Sequence, residues 1–221
     1  MVPFSQKIKA AAYIASTCHH GGSKGPPLRE ALVSELEIAF RVDSLGKCHQ
    51  TERTSRNEGQ VRLKSSEKPL EQLQLKRSAL AQYQFYLAFE NTIEPGYVTE
   101  KVFDALKAGT VPVYLGPSDD CRRLLPHPDA AIFADDFIEY RGRTVRGGVE
   151  ALAAYLIRLS GDKEAYEKHT RWRDTFDASK LDASIREPWA CRLCKWASDT
   201  STNTDASTKT SSSTTNSACE K

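Results

Sequence analysis

Apolar positions along the chain fall into two rhythms. Runs such as Ala11-Ala12-Tyr13-Ile14-Ala15, Tyr83 to Phe89, Val111-Pro112-Val113-Tyr114-Leu115 and Ala130-Ala131-Ile132-Phe133 are continuous and of strand length. Between them, Leu28, Leu32, Leu36 and Ala39, and later Val149, Leu152, Ala153, Leu156 and Ile157, recur at intervals of three or four, as on one face of a helix. Strands alternating with helices predict α/β units around a largely parallel sheet.

The first unit reads as a strand over 11–15, a Gly-rich turn through Gly21, Gly22 and Gly25, and a helix from about Pro27, a residue that suits the first helical position. Val42 to Gly46 follows as a short strand. The polar stretch from His49 to Lys68, ending at Pro69, reads as a loop or linker. Leu70 to Ala81 is helical by composition. Val98, Val102, Ala105 and Leu106 place one apolar stripe on a further helix, and Gly109 is positioned to end it in a left-handed cap. Pro112 should lie at the start of its strand or on a side without a partner. From Ser198 to Ala218 the chain is mostly Ser and Thr without aromatic or branched aliphatic residues, so it cannot bury enough surface to offset its ordering entropy and reads as a disordered tail.

Composition narrows the function classes. The 221 residues, enough for one large domain or somewhat more, carry 31 Lys and Arg against 29 Asp and Glu, which leaves no electrostatic footprint for nucleic acid. No run approaches the eighteen or so apolar residues of a membrane span, and the first residues lack the apolar core of a signal peptide. Six cysteines are too few for a disulfide scaffold but suit a secretory-pathway enzyme with a few bridges.

Ligands of open parallel sheets bind beyond the carboxyl ends of the strands. The connection from Phe89 to Thr99 has that place and is densely polar. If Thr99 caps the next helix, Glu100 and Lys101 occupy its first turn, where Lys101 opposes the helix dipole by about 0.3 kcal/mol or more. An anion bound there reverses the sign; the alternative is a solvated Glu-Lys pair. Arg29 repeats the oddity at the first helix, with an exposed arginine as its alternative. Gly21-Gly22-Ser23-Lys24-Gly25 lacks the spacing of a Walker loop. Asp119-Asp120 and Asp135-Asp136 are not Asp-x-Asp arrangements and sit where helix caps are ordinary. His19-His20 and Cys191-x-x-Cys194 lack further ligands at zinc spacing, so no metal site is expected. No nucleophile signature occurs.

Taken together, Tyr86-Leu87-Ala88-Phe89-Glu90-Asn91, Tyr97-Val98-Thr99-Glu100-Lys101-Val102-Phe103, Gly109 to Pro117 and Ala134-Asp135-Asp136-Phe137 resemble, in order and spacing, the donor-site signature of the α-1,3/1,4-fucosyltransferases, glycosyltransferase family ten. Weaker likeness runs from Tyr13 to Cys18, over Leu45 to Cys48 and from Trp189 to Cys194. The resemblance implies a Rossmann-like doubly wound parallel sheet, the C-terminal half of a GT-B glycosyltransferase. It divides the chain into residues 1–48, the end of an N-terminal domain or a first α/β unit with a donor-site loop; a linker over 49–69; a GDP-fucose-binding domain over 70–197; and the tail over 198–221.

By the same resemblance Glu100 binds the ribose hydroxyls, Lys101 and Arg29 the diphosphate, and Tyr97 and Asn91 complete the donor pocket. The implied reaction is inverting transfer of fucose from GDP-fucose to an N-acetylglucosamine hydroxyl of a glycoprotein or glycolipid glycan, with no required cofactor and a divalent cation at most stimulatory. About ten residues precede the Ala11 strand. The acceptor-side domain, the catalytic base and a membrane anchor facing the Golgi lumen are therefore expected upstream of this chain, which alone should bind the donor weakly and transfer little. A Cys18–Cys48 bridge is implied. Cys191 and Cys194 resemble cysteines that tie the C-terminus to the N-terminal domain, while Cys121 and Cys219 are left as free thiols. The alternatives are another GT-B transferase using a different nucleotide sugar, or a non-catalytic nucleotide-binding domain.

Overall fold

The computed structural model describes residues 1–15, 28–48, 69–142 and 144–175. The expectations placed on Cys18, His19-His20, Gly21 to Gly25, Pro27, the 49–68 stretch, Cys191, Cys194, Cys219 and the 198–221 tail lie outside those residues. Five parallel strands, β1 (Ile8–Tyr13), β2 (Val42–Ser44), β3 (Tyr83–Phe89), β4 (Val111–Leu115) and β5 (Ile132–Phe133), form one sheet in the order β2-β1-β3-β4-β5. The helices are α1 (Leu28–Ala39), α2 (Pro69–Ala81), α3 (Glu100–Ala108), α4 (Ser118–Leu124), α5 (Val149–Gly161) and α6 (Lys163–Lys168), and β6 (Glu139–Arg141) pairs with β7 (Thr144–Gly147) as an antiparallel hairpin.

Strand period two assigns the core to two layers. Phe85, Leu87 and Phe89 face one way and pack with Leu32 and Leu36 of α1 and Leu152 and Leu156 of α5. Tyr86 and Ala88 face the other way and pack with Leu80 of α2, Val102 and Ala105 of α3 and Cys121 of α4. Because helices cover both faces, β3 and β4 are buried along their whole length, which is why both read as unbroken apolar runs. The sheet draws strands from both sides of the 49–68 stretch, so residues 1–48 supply β1, α1 and β2 to the same sheet as β3 to β5. No helix among the described residues is long and apolar enough to cross a membrane.

Local chemistry explains where elements end. Gly109 ends α3 in the left-handed region at φ 80°. Pro112 pairs across to Tyr86 on β3, but β5 joins β4 only from Val113, so no strand stands beside Pro112 on that side. Several boundaries differ from the sequence expectation: β2 ends at Ser44 and not at Gly46, α3 starts at Glu100 so that Val98 precedes it, and two further differences have a visible cause. The first strand starts at Ile8 instead of Ala11, because the Lys7 ammonium reaches the carbonyls of Ala81 (2.7 Å) and Tyr83 (3.2 Å) and seats this segment beside β3; Ile14 and Ala15 then leave the sheet. Ala130 belongs to a tight turn over Pro128–Ala130, where the His127 ring accepts the Asp129 N–H at 3.1 Å, so β5 keeps only two residues.

Candidate functional site

The chain leaving β1 goes on to α1 on one face of the sheet, while that leaving β3 goes on to α3 on the other. The crevice between their carboxyl ends is the switch point at which doubly wound sheets bind ligands. A cavity of about 300 Å³ opens there. Its lining comes from Ile14 and Ala15 beyond β1, Arg29 on α1, Lys76 on α2, Tyr86 on β3, Asn91 and Tyr97 on the connection after β3, and Glu100 and Lys101 at the start of α3. All five residues named from the sequence, Arg29, Asn91, Tyr97, Glu100 and Lys101, thus meet around one space. Lys76, Tyr86, Ile14 and Ala15 were not anticipated.

Lys101 is held by a carboxylate that sequence reasoning had left without a role. Glu90 directly follows β3, and its N–H still bonds the Leu115 carbonyl at 2.8 Å, so its side chain points inward and is 2% exposed. There it accepts the Thr99 N–H at 2.8 Å, the Thr99 hydroxyl at 2.8–2.9 Å and the Lys101 ammonium at 2.7 Å. Lys101 also reaches Thr99 Oγ1 at 2.8 Å. Thr99 is indeed the residue before α3, yet its side chain turns to Glu90 and makes no capping bond of its own. The solvated Glu100–Lys101 pair of the alternative reading is therefore absent, since Lys101 pairs with Glu90. Gly116 makes the room: a Cβ there would lie 2.9 Å from Glu90 Cγ and 2.5 Å from Tyr114 Oη.

A second buried carboxylate, Asp104, lies one turn beyond Glu100 and is 2% exposed. Lys76 Nζ approaches it at 2.9 Å and Arg77 Nη2 at 3.3 Å, which adds charge to the apolar packing of Leu80 that docks α2 on α3. Lys76 Nζ is also 3.9 Å from Glu100 Oε1. Arg29 is buried at 6% exposure, which overturns the exposed-arginine alternative, and its guanidinium is 3.8 Å from Glu30 Oε1. Nearby, burial pushes the Tyr13 phenol up to about 12, with Arg29 opposing the shift. On the rim Tyr97 follows Gly96, whose φ of 77° sets the turn and whose N–H donates to Asp120 Oδ2 at 2.7 Å. The wall at Ala15 is fixed by the segment after β2: Lys47 and Cys48 donate to its carbonyl at 3.0 and 3.2 Å, and Gly46 passes too close for any side chain. Cys48 is disulfide-bonded.

Three cations and one largely exposed carboxylate on a wall of mixed polarity suit an anionic ligand that also offers hydroxyls. The aspartate pairs serve elsewhere. Asp120 takes the Gly96 N–H and Arg123, Asp135 takes the Ser118 hydroxyl at 2.7 Å, and Asp136 pairs with Arg122 at 2.6 Å. Among the described residues no cluster of three His, Cys, Asp or Glu side chains could hold a metal ion. Cys121 is fully buried, and burial, followed by Glu90, pushes its thiol up to about 12, so it is no nucleophile.

A family model described as glycosyltransferase family 10 (fucosyltransferase), C-terminal part, matches residues 4–213. Human 4-galactosyl-N-acetylglucosaminide 3-α-L-fucosyltransferase FUT6 is 37% identical over 177 residues, covering 77% of this chain and 44% of that protein. The corresponding FUT5 enzyme of Hylobates lar is 40% identical over 193 residues, 86% of this chain and 41% of the relative. An α1,3-fucosyltransferase crystallised with GDP-fucose superposes with a TM-score of 0.53 at 25% identity, over 76% of this chain and 39% of that one. The chain thus spans less than half the length of these relatives.

Proposed function

The chain belongs to glycosyltransferase family 10, the fucosyltransferases, and from that premise we propose that its switch-point cavity binds GDP-fucose for α-1,3- or α-1,4-fucosyl transfer to a glycan. The observation that carries the reading is the convergence of Arg29, Lys101, Glu100, Tyr97 and Asn91, from separate segments, on one cavity at the start of α3.

Chemistry supports each role. Departure of GDP develops negative charge on the β-phosphate, and Lys101, Arg29 and the free N–H groups of the first turn of α3 are preorganised cations and donors for that charge. Glu90 keeps the Lys101 ammonium directed, so little reorganisation is needed when the anion arrives. Glu100, 65% exposed, is free to accept hydrogen bonds from the ribose hydroxyls. A cradle of side-chain cations takes the place that a divalent ion has in other nucleotide-sugar sites, so no metal is required. Inverting displacement needs a carboxylate to take the proton of the acceptor hydroxyl. Glu90 is closed off by Thr99 and Lys101, so it is not proposed as that base. A Golgi-lumenal setting suits the disulfide at Cys48, since such bonds persist in oxidising compartments.

Calorimetry with GDP-fucose, GDP-mannose and UDP-galactose tests the assignment. The two guanine donors should bind, UDP-galactose should not, chelator should leave binding unchanged, and Lys101→Glu should abolish it. Absence of any preference for guanine nucleotides would refute the reading.

A further inference from the structure

We propose that Lys76 is a positioning residue for this donor site: it holds the Glu100 carboxylate against the ribose and so makes nucleotide binding depend on the vicinal 2′,3′-diol. The inference rests on the cavity being the GDP-fucose site.

Glu100 and Asp104 are four residues apart on α3, hence on one helical face, where two carboxylates repel each other unless a cation stands between them. Lys76 is that cation, 2.9 Å from Asp104 Oδ2 and 3.9 Å from Glu100 Oε1. Lys101 cannot do the same work, because adjacent helical residues do not face each other and its ammonium belongs to Glu90 and Thr99. Asp104 is moreover shared with Arg77, so the triad of two cations and one buried carboxylate keeps one positive charge to direct at Glu100.

Lys76 is mostly buried, at 16% side-chain exposure, and so is a fixed anchor; Glu100, at 65%, is the member that needs one. Without that anchor an exposed glutamate distributes over its rotamers, and each donor-bound geometry has to be selected at an entropic cost. The pairing also offsets the repulsion between Glu100 and an incoming diphosphate, which would otherwise share a cavity of about 300 Å³ with it. None of this is visible along the sequence, since Lys76 lies in an unremarkable polar helix.

The test is calorimetric titration of the full chain with GDP and with 2′-deoxy-GDP, in the wild type, Lys76→Met, Lys76→Gln and Glu100→Gln, with thermal midpoints recorded for each. A charged hydrogen bond to the hydroxyl predicts that the wild type favours GDP by about tenfold or more. Lys76→Met should reduce that preference to within about threefold, chiefly by weakening GDP. Lys76→Gln keeps a polar group beside Asp104 without the charge and, with the same loss of preference expected, carries the test if the Met variant does not fold. Equal loss of both nucleotides, or an unchanged preference, overturns the inference while leaving the donor site standing. If the wild type binds neither nucleotide, or Glu100→Gln keeps the full preference, the assignment of Glu100 falls and the role of Lys76 falls with it.

Discussion

Replacing Glu90 by Gln separates what this carboxylate does for the fold from what it does for a ligand. At 2.7 Å from the Lys101 ammonium, its charge gives a gross attraction of about 6 kcal/mol at an effective dielectric constant of about 20. Desolvation of a side chain with no exposed surface offsets most of that, leaving the 1.5–3 kcal/mol typical of a charged hydrogen bond. Gln keeps an acceptor oxygen for the Thr99 N–H and hydroxyl, so the expected loss is about 2 kcal/mol and roughly 4–8 °C in thermal midpoint for a chain of this size. The amide oxygen can also keep the Lys101 ammonium aimed while the competing negative charge is gone, so GDP should bind about threefold to tenfold more tightly, and by linkage saturating GDP should narrow the stability gap between variant and wild type. Differential scanning fluorimetry with and without GDP, backed by urea unfolding, measures both quantities. If GDP leaves the gap unchanged or widens it, Glu90 serves only to aim Lys101 and its charge does not compete with the ligand.

Other consequences are simpler to check. Burial, reinforced by Arg173, lowers the Lys7 ammonium from 10.5 to about 8, so between those values the unfolded chain holds a proton that the native chain has released and stability rises with pH. The margin of wild type over Lys7→Met in urea unfolding should accordingly grow by about 2 kcal/mol from pH 7 to pH 10; a constant margin would contradict the burial of the charge. Gly116→Ala drives a methyl group to within 2.5 Å of Tyr114 Oη and 2.9 Å of Glu90 Cγ, and should cost about 1–3 kcal/mol together with weaker GDP binding. Cys121 should resist iodoacetamide at pH 8 in the native chain and react after denaturation, as mass spectrometry of the peptide would report; native labelling at the denatured rate would show that its pocket opens.

The parts of the fold legible in the sequence were those that burial alone dictates. Tyr83 to Phe89 and Val111 to Leu115 are buried along their whole length with helices above and below, so their composition leaves no other reading, and Gly109 is fixed by its φ of 80°. The β6–β7 hairpin was missed because its strands are three and four residues long and none of their side chains is fully buried. In the site, Lys101 and Arg29 stood out as cations at helix starts, an oddity local enough to see. The partners that hold the cavity together were not local: Glu90 is eleven residues from Lys101, and Asp104 is twenty-seven from Arg77. A residue's solvent exposure and its partner across the sheet are properties of the packed chain, so the local sequence favoured an exposed Arg29, a reading overturned once α1 is seated on the sheet.

The two buried carboxylates point to why such a costly arrangement exists at all. A buried ion pair is weak evidence for stability, because well-packed apolar side chains of similar volume often do as well or better. Here two such pairs converge on the first turns of α3, and in each one the cation, not the carboxylate, reaches the cavity: Lys101 in front of Glu90, Lys76 in front of Asp104. If the pairs served only to dock α2 and the β3 connection onto α3, the cations would have no reason to line the open space. On the proposed reading the carboxylates fix the ammonium groups in place before the ligand arrives, and a cation at the start of the helix, unfavourable to the helix dipole by itself, becomes favourable once a diphosphate is bound. On that reading, electrostatic tension in the free chain and affinity for an anion are the same interaction seen in two states.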